Sequence, residues 1–345
     1  MSGEVLALVN YYARNGYYRH VQTVCNEVLK KRGSTDPTLV FWRALGMLKE
    51  GSVNEAIADY EGIKSRGDLQ LSLPVKLALM HAHQLSRVID GEAVMTLQSQ
   101  VAAEVQNAPD RARLTSALLM WHLGDPESAK RHCAQLIQMQ PQSVPALTLM
   151  GWLELQGAEP ETAALLGTDP AQALARAEKA FDDALAACTA KKDLEALMGK
   201  ARLLALRRNH REALEQLNQV IVLYPWFLPA LVEKFGVLMA MGDWEQAIET
   251  AQRVLAQDAN NIEALRITSV FLLSQARARA SPLSPLSQHP SAPARRSACP
   301  PSPPSSPVSC PRRSLLSWPL RRRRATRSRW ARSPTWRRPS SGTSR

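Results

Sequence analysis

The sequence predicts an all-α chain. A right-handed solenoid of paired helices covers residues 1–275, and a disordered Arg/Pro/Ser-rich tail covers 276–345. Three observations predict this. Residues 1–275 are rich in Ala, Leu, Glu, Gln and Met, which are good helix formers. Short blocks recur at a fixed offset. The composition changes abruptly after Gln275.

The offset is 34. Leu194-Glu195-Ala196-Leu197 matches Leu228-Pro229-Ala230-Leu231, and Asn209-His210-Arg211-Glu212-Ala213-Leu214 matches Asp243-Trp244-Glu245-Gln246-Ala247-Ile248. That period belongs to the tetratricopeptide repeat, a helix–turn–helix unit. Two antiparallel helices, A and B, approach closely only where small residues sit at their crossing. Ala201 and Ala213 fit one crossing, and Ala247 fits the next. Gly242 ends a helix A and Asp243 caps the following helix B. Pro225 closes the unit before them.

Upstream, Gly51 to Ile57 reads as a turn into a helix B, with Ala56 at the crossing and Tyr60 one helical turn beyond it. His122-Leu123-Gly124-Asp125-Pro126 is another such turn, leading to Ala129. Helix pairs are expected to start near residues 4, 37, 71, 110, 144, 194 and 228. The first and third are the least regular. An extra loop over 157–170 separates the helices of the fifth pair, because Ala129 and Ala213 are farther apart than two periods. An eighth helix A spans Ile262–Gln275. Its Ile262, Leu265, Ile267, Val270, Phe271, Leu272 and Leu273 surround it on more than one face, so it expects neighbours on two sides.

By repeat register, Leu114, Leu118, Trp121, Met198, Arg202, Val232 and Met239 fall on the inner face lined by helices A. They are the expected protein-binding groove. The Trp residues also suit a core. A clamp for a C-terminal carboxylate needs Lys and Asn on the first helices A; Val5–Arg14 offers Asn10 and no Lys, so a chaperone-type clamp is not expected.

No catalytic, cofactor or metal site is expected. His81 and His83 lie two apart on a helix and point to different faces. His132 and Cys133 are adjacent and diverge by about 100°. Cys25, Cys133 and Cys188 fall in helical patterns as small apolar residues. No phosphate-cradling Gly-rich loop and no Gly-x-Ser-x-Gly elbow occurs. The N-terminus lacks the basic region of a signal peptide, and no apolar run is long enough for a bilayer. A cytoplasmic protein without membrane insertion and without a small-molecule substrate is therefore expected.

The run from Arg208 to Val222, the blocks Pro225–Leu231 and Asp243–Arg253, Trp121-His122-Leu123-Gly124, and Asn10-Tyr11-Tyr12 resemble the tetratricopeptide repeat protein 21 family over about residues 4–275. This family supplies a repeat subunit of the intraflagellar-transport A complex. The resemblance implies retrograde transport in cilia, a place at the basal body and axoneme, and other subunits of that complex as partners. It implies no catalytic residues. The family's proteins are several-fold longer and almost entirely repeats, and this chain departs from them after Gln275. A generic adaptor or co-chaperone is the alternative within the same fold.

The chain carries a formal charge of +12, from 43 basic and 31 acidic residues. Residues 276–345 hold 16 of the Arg and no acid, which leaves 27 basic against 31 acidic residues for 1–275. The basic balance thus belongs to the tail alone. With 13 Pro and 16 Ser besides, the tail cannot bury enough apolar surface to offset its ordering entropy. Its composition fits a GC-rich non-native reading frame. Read instead as an RNA-binding arm, it has Arg321–Arg324 as its densest patch and Trp330 and Trp336 for stacking, and it would bind nucleic acid non-specifically.

Overall fold

The computed structural model describes residues 3–32, 36–159, 162–164, 169–188 and 192–280. The tail from 281 onward and parts of the 157–170 connection lie outside them. Fifteen α-helices occur among the described residues: α1 Gly3–Arg14, α2 Tyr18–Arg32, α3 Pro37–Glu50, α4 Val53–Lys64, α5 Leu69–Leu85, α6 Gly91–Glu104, α7 Asp110–Leu123, α8 Pro126–Met139, α9 Val144–Gly157, α10 Pro170–Ala187, α11 Leu194–Leu206, α12 His210–Leu223, α13 Pro229–Met241, α14 Trp244–Gln257 and α15 Ile262–Ala280. Odd-numbered helices are A and even-numbered helices are B. Each except α6 packs on its successor, and α3, α5, α7, α9 and α11 also touch one another in turn, as the inner layer of a tetratricopeptide-repeat solenoid does.

Local chemistry sets the helix boundaries. Asp36, Asp68, Asp90, Asp125, Asp169, Asp193 and Asp243 each accept a hydrogen bond from a backbone N–H in the first turn of the helix that follows. Each such cap is worth about 1 kcal/mol. Gly51, Gly124 and Gly242 end α3, α7 and α13 in the left-handed conformation, with φ of 95°, 100° and 83°. At the equivalent turn after α11 the chain has Arg208, at φ 62°. A left-handed residue with a Cβ is strained there by about 1–2 kcal/mol.

The small residues lie where the helices cross. Ala56, Ala129, Ala213 and Ala247 are fully buried, Ala201 nearly so, and Tyr60 is buried on α4. Pro225 stands exposed in the turn between α12 and α13. A tighter crossing joins α9, α10 and α11. The ring of Phe181 lies against the bare backbone of two glycines: a Cβ would come within 2.6 Å of that ring at Gly151 and within 2.3 Å at Gly199.

The last helix, α15, runs through Ala280, past the expected end at Gln275. The segment Ala276-Arg277-Ala278-Arg279-Ala280 consists of strong helix formers, and the first proline after it is Pro282. Ala264 and Ile267 are buried in the cluster that includes Ala247, Ala251 and Val254 of α14. Ile262, Leu265, Val270, Leu272 and Leu273 are exposed. One of the two neighbours expected for this helix is thus present among the described residues.

Two substitutions test these boundaries and crossings. Arg208→Gly removes the strained φ and is expected to raise stability by about 1 kcal/mol, part of the strain relief being returned as unfolded-state entropy; a lower denaturation midpoint contradicts it. Gly199→Ala gains about 1 kcal/mol of helix propensity. It also drives a methyl into a ring that Gly151 holds from the other side, an overpacking that costs roughly 1–3 kcal/mol. The ring has nowhere to retreat, so the midpoint is expected to fall. Adding Phe181→Leu, which shortens the obstructing side chain, is expected to make the double change less costly than the sum of the two.

Candidate functional site

The candidate site is the inner face of the solenoid, where helices A meet α1. The sequence of α1, Gly-Glu-Val-Leu-Ala-Leu-Val-Asn-Tyr-Tyr-Ala-Arg, carries apolar residues around most of its circumference. A first helix of an open solenoid has one neighbour and a free flank. Here no residue from Val5 to Asn15 is exposed. Val9 and Ala13 join the cluster built on Val21, Leu39, Trp42 and Leu45 of α2 and α3. Ala7 and Tyr11 join a different cluster, containing Leu147 and Trp152 of α9, Leu197 and Met198 of α11, and Phe227 before α13.

Four anchors hold the second flank. The Arg14 guanidinium donates to Glu195 of α11 at 2.7 Å. Its carbon lies 3.6 Å from the centroid of the Trp152 ring. Trp152 Nε1 in turn donates to the backbone carbonyl of Glu195 at 3.2 Å, which fixes the indole under the cation. Tyr11 meets Phe227 edge to face at 6.1 Å between centroids. Just past the helix, the Tyr17 hydroxyl donates to Glu263 of α15 at 2.6 Å. The first repeat therefore reaches the fifth, sixth, seventh and eighth helices A.

The electrostatics follow from enclosure. Arg14 and Glu195 are both largely buried, with side chains 13% and 16% exposed. A charge pair in such surroundings acts through less screening than on a surface. Burial, and after it the charge of Glu233, pushes the Tyr11 hydroxyl well above its ordinary pKa. Burial also raises Tyr17, with its hydrogen bond to Glu263 adding to the shift. The seam is incompletely satisfied: Asn10 Oδ1 and Glu195 Oε1 are buried with no hydrogen-bond partner among the described residues. A cavity of about 20 Å³ remains where Tyr11, Tyr12, Tyr17 and His20 meet Leu228, Val232 and Glu263.

The residues expected on the inner face are distributed around this seam. Met198 is buried, and it shares the apolar cluster of Tyr11 with Trp121, which is half-buried. Val232 lines the small cavity. Leu114 and Leu118 are half-buried beside Ala117, Ala129 and Cys133. Met239 packs among Leu231, Phe235 and Leu238. Arg202 lies half-exposed, 3.8 Å from Glu159. Sequence reasoning did not anticipate α1 as the element covering this face, nor Arg14, Trp152 and Glu195 as its anchors.

Elsewhere, Cys25 and Cys133 are buried and their thiols are pushed up to about 12. Among the described residues no group of three His, Cys, Asp or Glu is placed to hold a metal ion. No described helix is long and apolar enough to cross a membrane.

His122 is the most displaced base. It is buried between Trp121, stacked at 5.3 Å, and Trp42, edge-on at 6.0 Å. Burial above all, then the charges of Lys49 and Arg14, lowers its pKa to about 3. A base whose folded pKa is depressed stays neutral in the fold while the unfolded chain takes up a proton below about 6.5. Stability is therefore fully present above pH 6.5 and is lost as pH falls towards 3. The expected slope from this group is about 1.4 kcal/mol per pH unit. His81 and His132 are shifted in the same direction. Denaturation midpoints between pH 7 and 5 are expected to fall, and His122→Phe is expected to flatten that dependence; an unchanged slope in the variant contradicts this assignment.

Comparison with known proteins fits this geometry. The family described as Tetratricopeptide repeat protein 21 N-terminal ARM repeat matches residues 9–248, from within α1 to within α14. Human Tetratricopeptide repeat protein 21B is 37% identical over 271 residues, which cover 78% of this chain and 19% of that protein. Human Tetratricopeptide repeat protein 21A is 33% identical, covering 79% of this chain and 19% of its own length. This chain thus spans about a fifth of the curated relatives it matches. Among solved structures, a thermophilic tetratricopeptide-repeat protein of Thermus thermophilus superposes with a TM-score of 0.44 at 17% identity, covering 59% of this chain and 97% of that one. The matched residues take in the capped helix pairs, the small-residue crossings and the inner face closed by α1: this chain belongs to the tetratricopeptide repeat protein 21 family.

Proposed function

We propose that the chain is a non-enzymatic protein-binding scaffold of the intraflagellar-transport A complex, acting in retrograde ciliary transport. It works in the cytoplasm and the cilium, at the basal body and axoneme, and its partners are other subunits of that complex. The observation that carries the reading is the family match over residues 9–248, which takes in almost the whole series of helix pairs. Such a series offers a long run of side chains on rigid helices, suited to recognising an extended protein surface. The partner-facing residues proposed on the inner face are Leu114, Leu118, Trp121, Arg202 and Met239, all of which keep partial exposure; Met198 and Val232, expected on the same face, are buried beneath α1.

The experiment is co-purification of the tagged full chain from ciliated cells, beside a full-length family member. Other subunits of the transport complex are expected with both. If they accompany the longer protein and never this chain, the docking surfaces lie outside the span shared here and the reading fails for it.

A further inference from the structure

The inner face has an occupant already, α1, whose other flank packs on α2 and α3 through Val9 and Ala13. Asn15, Gly16 and Tyr17 alone join α1 to α2, and Gly16 takes a φ of 75°. The far flank of α1 is fastened by the separate anchors described above: a guanidinium on Trp152 and Glu195, an aromatic edge on Phe227, and the Tyr17 hydroxyl on Glu263. Between them lie Asn10 Oδ1 and Glu195 Oε1, buried without hydrogen-bond partners among the described residues, and the water-sized cavity. Peptide-binding grooves hold a helix by a few deep anchors, as α1 is held here.

We propose that α1 is an intramolecular ligand of the solenoid. The surface formed by α9, α11, the start of α13 and α15 is a binding site for a largely apolar helix that presents an aromatic residue followed three positions later by an arginine. Tyr11 and Arg14 of α1 fill that site in cis. Each side chain of the motif has its receptor on the page. The aromatic residue enters beside Phe227, and the arginine stacks on Trp152 and pairs with Glu195. A helix as short as α1 is marginal on its own in water, so its order depends on the seat. The proposal goes beyond the scaffold reading, and it stands whichever proteins the solenoid carries.

The test uses full chains and a fluorescent synthetic peptide of residues 3–17. The wild-type chain, closed by its own helix, is expected to take up the peptide at least tenfold more weakly than a chain carrying Arg14→Glu, whose helix is repelled by Glu195. A chain carrying Glu195→Arg is expected to reject the wild-type peptide and to accept the peptide carrying Arg14→Glu. Combining Arg14→Glu with Glu195→Arg in one chain restores the cis pair and is expected to close the site to both peptides. Circular dichroism accompanies each binding measurement. Equal uptake by wild-type and Arg14→Glu chains overturns the proposal, as does the absence of uptake by variants that keep their helicity. Loss of helicity in both single variants overturns it too, because a displaceable ligand leaves a folded solenoid behind.

Discussion

The solenoid is governed by one requirement: the helices A are apolar on two sides, and each of those in the middle of the array is covered on both. One side meets the helix B of its own pair and the neighbouring helix A. The other faces the inside of the superhelix, where an open array leaves it to water. In α9 nearly every residue from Ala146 to Leu155 is buried, including Thr148 and Glu154. Most of that burial comes from α8, α10, α11 and α7, with Lys130 and Arg176 pairing Glu154, and α1 adds the cover over Trp152 through Arg14.

A covering helix alters the energetics of the array. Repeat stability is ordinarily a sum of units and nearest-neighbour interfaces. The contacts from Arg14 to Glu195 and from Tyr17 to Glu263 join residues 181 and 246 positions apart. They tie the first unit to the last ones, so that fraying at α15 and release of α1 become linked events. The strained Arg208 turn and the Phe181 crossing lie between those ends. Local changes there act on the closed array as well as on their own pair.

Much of this fold was legible in the sequence, for identifiable reasons. The period of 34 is a local property, because each unit repeats the same turn and the same crossing, and Gly51, Gly124 and Gly242 announce the turns directly. Asp243 and Asp125 were readable as caps beside those glycines. The small residues Ala56, Ala129, Ala213 and Ala247 follow from the same register. What the sequence concealed was non-local. Gly151 and Gly199 look like weak helix positions until Phe181 is placed between them. Arg208 occupies the position one period before Gly242, and a strained φ leaves no mark on composition. The seat of α1 depends on residues whose only relation is spatial, so that Tyr11, Arg14, Trp152 and Glu195 carry no shared period. The inner-face residues were assigned by register, which places a side chain on a face without saying what lies against it.

The placement of α1 also fixes an order of events during synthesis. This helix is made well before the whole of its seat, and the residue that receives Tyr17 follows 246 positions later. At about 5–20 residues per second the delay is on the order of tens of seconds. Until α9 and α11 emerge, Leu8 and Tyr11 have no inner face to enter, and a segment this short holds little helix by itself. Helix pairs behind it can fold as they emerge, since their contacts are local. Nascent chains halted before α9 are therefore expected to present the inner flank of α1 unpaired to the chaperones that meet them.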